Sequence, residues 1–169
     1  VEGGDLTVSD TLTIAVTALG ALAGRAPVLR SGAEPGDVVA VAGELGRAAR
    51  GLGILFERFT DAAGHPIAVD ESLLDQAQLA DLVAQLRPSP PVWLGPEAAD
   101  AGATAMMDVS DGLVLDASRM AAASEVTIAL ESAALGSDVA SALAGGEDHA
   151  LLATFPANRS LPHGFVRVG

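Results

Sequence analysis

The sequence predicts an α+β protein, a mixed sheet with helices packed against it. Three observations carry this. Short apolar or β-branched runs recur at 38–41, 104–107, 149–155 and 165–168. Residues 47–59, 71–86 and 113–124 instead place apolar side chains at helical spacing. Half of the 169 residues are hydrophobic but only 3% are aromatic, so Leu, Val, Ile, Ala and Met must fill a sizeable core. The length suits one domain, or one domain and part of another.

Taken in order, Gly3 and Gly4 form a turn that presents Asp5. Thr11–Leu19 alternates Leu12, Ile14 and Val16 with Thr or Ala and is expected to be a strand. Gly20–Pro27 reads as a connector and domain boundary. Pro35-Gly36 fits the centre of a type II turn, with Pro fixing φ and Gly supplying φ > 0. Val38–Val41 is a short buried strand, and GELG at 43–46 turns into a helix over 47–59. That turn resembles an anion site, but with Glu44 in it a plain strand–helix turn is favoured. Glu71–Leu86 is expected to be one helix. Arg87–Pro96 is expected to be extended because of its prolines, and Glu97–Ala103 helical. Glu125–Leu130 reads as a strand, 131–143 has no clear pattern, and GGED at 145–148 precedes the strand 149–155.

The stretch that organises the rest is AMMDVSDGLVLDASRMAAAS, residues 105–124. It reads as a strand reaching Asp108, a turn, then a helix. Ser110 and Asp111 are good N-cap types. Leu113, Ala117, Met120, Ala121 and Ser124 keep one helical face. A helix start offers unpaired N–H groups to phosphate oxygens. Asp108 and Asp111 are hard oxygen ligands of the kind Mg²⁺ uses when it also holds phosphates. The plainer reading, a capped helix with Asp108 solvated, is at least as good from these residues alone. The same holds for GGD and GGED taken singly, each of which is an ordinary turn. Three separated turns that join Gly to Asp or Glu, 3–5, 108–112 and 145–148, make a polyphosphate–metal site more credible together.

The formal net charge of −13 argues against a nucleic-acid footprint and against docking on anionic lipid. No apolar run reaches the length of a membrane span. The chain has no cysteine, which removes disulfides and thiolate metal sites and fits a cytoplasmic location. Both ends read as cut, so a longer parent protein is expected.

AMMDVSDGL at 105–113, GGEDHALL at 145–152, VLRSGAEPGDVVAVAGELG at 28–46 and GGDLTVSDTLTIAVTALG at 3–20 resemble thiamine-monophosphate kinase, in the aminoimidazole ribonucleotide synthetase-like superfamily. The resemblance covers most of the chain and is weak at 60–100 and 131–143. It implies two α+β domains, with residues 1–26 ending an amino-terminal ATP- and Mg²⁺-binding domain and 27–169 forming most of the carboxyl-terminal one. It implies transfer of the ATP γ-phosphate to thiamine monophosphate, giving thiamine diphosphate, with several Mg²⁺ ions and a homodimeric parent. By the same resemblance Gly4, Asp5, Arg30 and Ser110 would bind ATP, Glu147 the thiamine phosphate, and Asp5, Asp108 and Asp111 the metal. The chain alone is not expected to catalyse the reaction.

The attacking group would be a phosphate monoester, whose second pKa of about 6 leaves it largely dianionic at neutral pH. No protein base is therefore expected, and His65, His149 and His163 should be dispensable. Two alternatives remain open: another ATP-using member of the superfamily, and a non-catalytic domain for interaction or regulation.

Overall fold

The computed structural model describes residues 3–4 and 6–169. Its centre is a four-stranded sheet in the order β2-β3-β1-β4. The strands are β1 (Asp37–Ala42), β2 (Ala105–Val109), β3 (Ala150–Pro156) and β4 (Phe165–Arg167). All three pairings are antiparallel, so the α+β class holds while the sheet is not mixed. Alternation along β1 explains the layering. Val39 and Val41 face a core shared with Leu113, Ala117 and Met120 of α4 (Leu113–Ser124). Ala40 and Ala42 face the other way, toward Leu94 and Ala98 of α3 (Leu94–Ala101) and the edge-to-face ring pair Phe155–Phe165.

A helical hairpin completes the body. In α1 (Arg47–Arg58) the glycine Gly51 lets α2 (Gln76–Leu86) come close, since a Cβ there would lie 2.1 Å from the Asp81 carbonyl. Asp81 then takes hydrogen bonds from Arg47 and Arg50 across the pair. A short helix, α5 (Val139–Ala144), touches both α1 and α4.

Four expectations need correcting. Thr11–Leu19 forms no strand among the described residues: Leu12, Ile14 and Val16 are 89%, 77% and 85% exposed. β-propensity produces a strand only where a neighbour completes the ladder, and none is present there. Glu125–Leu130 is likewise unpaired, although Val126, Ile128 and Leu130 still pack their side chains on the core. Residues 71–86 are not one helix. A single 3-10 turn at Glu71–Leu73 ends before Asp75, which caps α2 in a reciprocal capping box with Gln78. Finally, α3 begins inside the proline-rich segment, at Leu94. Pro96 is tolerated because the first-turn N–H it lacks has no intrahelical partner anyway. Among the described residues, no helix is long and apolar enough to cross a membrane.

Candidate functional site

Two of the three acidic turns are bolted together at one end of the sheet. The Glu147 N–H donates to the Ser110 carbonyl at 2.9 Å. Gly146 allows the approach, since a Cβ there would stand 2.4 Å from that same oxygen. Gly112, with φ 108°, lies against the Ala144 carbonyl, where a Cβ would meet it at 2.9 Å. The carboxylates of Asp108, Asp111 and Glu147 are exposed along this junction. His149 Nδ1 lies 3.3 Å from Asp108 Oδ2. Glu147 and His149 both hold positive φ, 71° and 53°, a strained local backbone of the kind that collects at functional turns.

Ser110 and Asp111 were expected to cap α4, but its N-cap is Gly112, with no side-chain cap. The turn before the helix is instead held by a residue inside it. Asp116, fully buried, accepts from the N–H groups of Ser110 and Asp111 at 2.9 Å each through Oδ2. Its Oδ1 accepts from Arg119 Nη1 at 2.7 Å, and the same nitrogen donates to Asp111 Oδ2. These two carboxylates push the Arg119 pKa above its ordinary value. Sequence reasoning missed Asp116. The available signal was an acid on the apolar stripe Leu113, Ala117, Met120, at a position that a solvated residue would not occupy.

A second missed acid serves α1. Asp148, 9% exposed, accepts the Ala48 N–H at 2.8 Å. Burial pushes its carboxyl above the usual carboxylate range, against backbone N–H groups of Ala48, Gly46 and Arg47 and the nearby Arg50. Among the described residues its Oδ2 is buried without a hydrogen-bond partner. The GELG turn is thus a plain strand–helix turn, its helix start filled by the protein's own carboxylate. Asp148 also helps to line a cavity of about 200 Å³ that includes none of Asp108, Ser110, Asp111 and Glu147.

Arg30 lies apart from these turns. The Arg30 carbonyl accepts from Ser124 Oγ at 3.0 Å, at the far end of α4 from the acidic turn. With 12 residues, that helix separates them by about 18 Å. The Leu29 carbonyl beside it accepts the Met106 N–H on the open edge of β2. Gly4 is exposed and nothing stands within 4 Å of its Cβ position. Asp5 lies outside the described residues. Of the three acidic turns, 108–112 and 145–148 meet, and the acid of the third lies outside the described residues.

The donor set can be weighed against a metal. Among the described residues, no group of three or more His, Asp or Glu side chains could hold an ion. Mg²⁺ does not require one, since it binds through one or two carboxylates together with waters and substrate phosphates. Asp108 and Asp111, hard oxygen donors on one exposed turn, fit that mode.

No protein-family model matches the chain. The thiamine-monophosphate kinase of Mycobacterium tuberculosis is 41% identical over 184 residues, covering 100% of this chain and 50% of that protein. The enzyme of Corynebacterium glutamicum is 39% identical, covering 99% of this chain and 51% of its own length. Among solved structures, AaThiL complexed with AMPPCP and TMP superposes with a TM-score of 0.70 at 31% identity, over 84% of this chain and 47% of that one. Thiamine monophosphate kinase from Aquifex aeolicus gives 0.70 at 32% identity, over 84% and 49%. The chain spans about half the length of the curated relatives it matches.

Proposed function

We propose that this chain, homologous along its whole length to about half of thiamine-monophosphate kinase, supplies the carboxyl-terminal part of an enzyme that phosphorylates thiamine monophosphate with ATP. The supporting observation is the bond from Glu147 N–H to the Ser110 carbonyl, which locks the DVSDG and GGED turns into one surface. A relative solved with AMPPCP and TMP supports the pairing of nucleotide and thiamine phosphate. On this reading Ser110 faces ATP with Gly4 and Asp5, Arg30 reaches it from the β2 edge, and Glu147 faces the thiamine phosphate. Residues 1–26 end the amino-terminal domain and 27–169 make up most of the second.

Asp108 and Asp111 would hold Mg²⁺, joined by Asp5. Bound there, the ion would offset negative charge on the phosphates, for which Arg30 is the one basic side chain assigned. The chain's own residues position groups rather than move protons. The attacking phosphate monoester is already dianionic, so no general base is assigned, and His65, His149 and His163 are dispensable. A cytoplasmic homodimer that binds neither nucleic acid nor membrane completes the reading, consistent with a net charge of −13 and no cysteine.

The experiment is turnover by the intact protein with ATP, Mg²⁺ and thiamine monophosphate, read as thiamine diphosphate formed. Asp108→Asn should cut turnover at least tenfold to a hundredfold, on the order of a lost ligand or outer-shell partner, with an unchanged melting temperature. His149→Asn, which tolerates the positive φ, should leave turnover near wild type. ADP formed with an aminoimidazole precursor or selenide, and not with thiamine monophosphate, would move the chain to another superfamily activity.

A further inference from the structure

Asp111 does not stand free. Its carboxylate receives Arg119 Nη1, and the same nitrogen is held at 2.7 Å by the buried Asp116. Asp116 in turn holds the Asp111 backbone N–H at 2.9 Å. The three residues close a ring in which the side chain and the backbone of Asp111 are tethered to one buried carboxylate. The Asp111 and Arg119 side chains are 48% and 41% exposed, so the outer bond of the ring faces water while the inner one does not.

That asymmetry has a use. A divalent cation at Asp111 would repel the guanidinium and compete for the same oxygen. The exposed pair is weak and can part. The inner pair keeps Arg119 in place when it does, because leaving Asp116 buried and unpaired is far more costly. We propose that Arg119, anchored on Asp116, is a positioning residue that occupies the Asp111 carboxylate until a divalent cation takes it, and so sets how much cation the site requires. This rests on the reading of Asp111 as a cation ligand.

The test uses the intact protein without nucleotide and Mn²⁺ as the probe, with free Mn²⁺ read by electron paramagnetic resonance. Arg119→Met should bind Mn²⁺ about two- to fivefold more tightly than wild type, the scale of a lost surface ion pair. A merely structural role predicts the opposite sign or no change. Arg87→Met removes the same charge away from Asp111 and should leave Mn²⁺ affinity unaltered. Adding Asp111→Asn to Arg119→Met should abolish the gain. Equal or weaker Mn²⁺ binding by Arg119→Met overturns the proposal, as does an equal gain in Arg87→Met. If Arg119→Met does not fold, Arg119→Lys carries the test. Its ammonium sits on a shorter side chain than the Nη1 that serves both carboxylates, so when anchored on Asp116 it holds Asp111 less closely; a smaller gain of the same sign is expected, and no gain overturns the proposal. Turnover of thiamine monophosphate is measured separately. Tighter Mn²⁺ binding without turnover sinks the kinase reading alone, and turnover with unchanged Mn²⁺ affinity sinks the role of Arg119 alone.

Discussion

Replacing Gly146 with Ala tests whether contact between the two acidic turns holds the site together. The new Cβ would stand 2.4 Å from the Ser110 carbonyl oxygen and 3.2 Å from Asp111 Cα. A carbon–oxygen contact ordinarily needs about 3.3 Å, so the turns must part by roughly 0.9 Å. Both obstructing atoms are backbone, and neither can swing aside as a side chain would. The Glu147 N–H···Ser110 bond, 2.9 Å in the native chain, would then stretch to roughly 3.8 Å, beyond hydrogen-bond range. Overpacking costs about 1–3 kcal/mol and the lost bond about 1 kcal/mol. The total of about 2–4 kcal/mol should lower the melting temperature by roughly 4–16 °C in a chain of this size. Gly146 is not among the positive-φ glycines, so the effect measures contact and not backbone strain. Scanning calorimetry of the variant, followed by titration with a non-hydrolysable ATP analogue and Mg²⁺, reads both consequences. A variant with wild-type melting and wild-type nucleotide affinity would refute the claim that these turns form one rigid surface.

Substitutions at three further positions probe the frame around that surface. Asp148→Ala should cost about 1 kcal/mol through loss of the cap on α1, whereas Asp148→Asn keeps an acceptor for the Ala48 N–H. Because burial raises the folded-state pKa of Asp148 above its ordinary 3.8, the folded chain keeps a proton that the unfolded chain releases. Its contribution is therefore greatest in acid and declines as pH rises from about 4 through the folded value. Urea midpoints of wild type and Asp148→Asn should diverge in the variant's favour over that window, and a flat or reversed difference counts against it. Thr154→Val should cost about 1–3 kcal/mol, since Thr154 Oγ1 accepts the buried Ala105 N–H at 3.1 Å; Thr154→Ser should recover most of this in the same denaturation assay. Gly53→Ala should stabilise by about 0.5–1 kcal/mol, because it lies within α1 with nothing within 4 Å of its Cβ position. A thermal melt that fails to rise would show that Gly53 does not weaken α1.

What the sequence made legible follows from the range of the interactions. The strand–turn–helix at 105–124 and the turn at 145–148 were readable because their signals are local: an apolar run, Gly beside acids, then helical spacing. The Asp75–Gln78 capping box is equally local, yet continuous apolar periodicity from Leu73 to Leu86 hid the break it marks. Asp148 gave no local sign at all, because the helix it caps lies 100 residues earlier. The unpaired segments at 11–19 and 125–130 show the complementary limit. Alternation and β-branching describe a side-chain surface, while a strand also needs a partner whose position no short window contains. Arg30 was placed with the phosphate-binding set by resemblance, and its backbone position at the far end of α4 depends on how that helix crosses the sheet.

The five acids of the two turns and α4 carry different tasks, and this gives a sharper expectation than their number. Asp116 and Asp148 are buried and spent on the scaffold, one on the N–H groups of the Ser110–Asp111 turn and the other on the start of α1. Asp111 is shared between Arg119 and the outside. Asp108 and Glu147 are exposed, and the Glu147 carboxylate makes no hydrogen bond or ion pair among the described residues. The same Asp→Asn change should therefore separate them. At Asp116 it removes the buried acceptor of a charged hydrogen bond from Arg119 and should cost about 1–3 kcal/mol of stability. At Asp148 it should be near neutral in acid and stabilising at neutral pH, because burial disfavours the charge that Asn does not carry. At Asp108 it should leave melting unchanged and fall entirely on turnover. Equal destabilisation at all three positions would mean that the exposed carboxylate is scaffold too, and the division between frame and site would be lost.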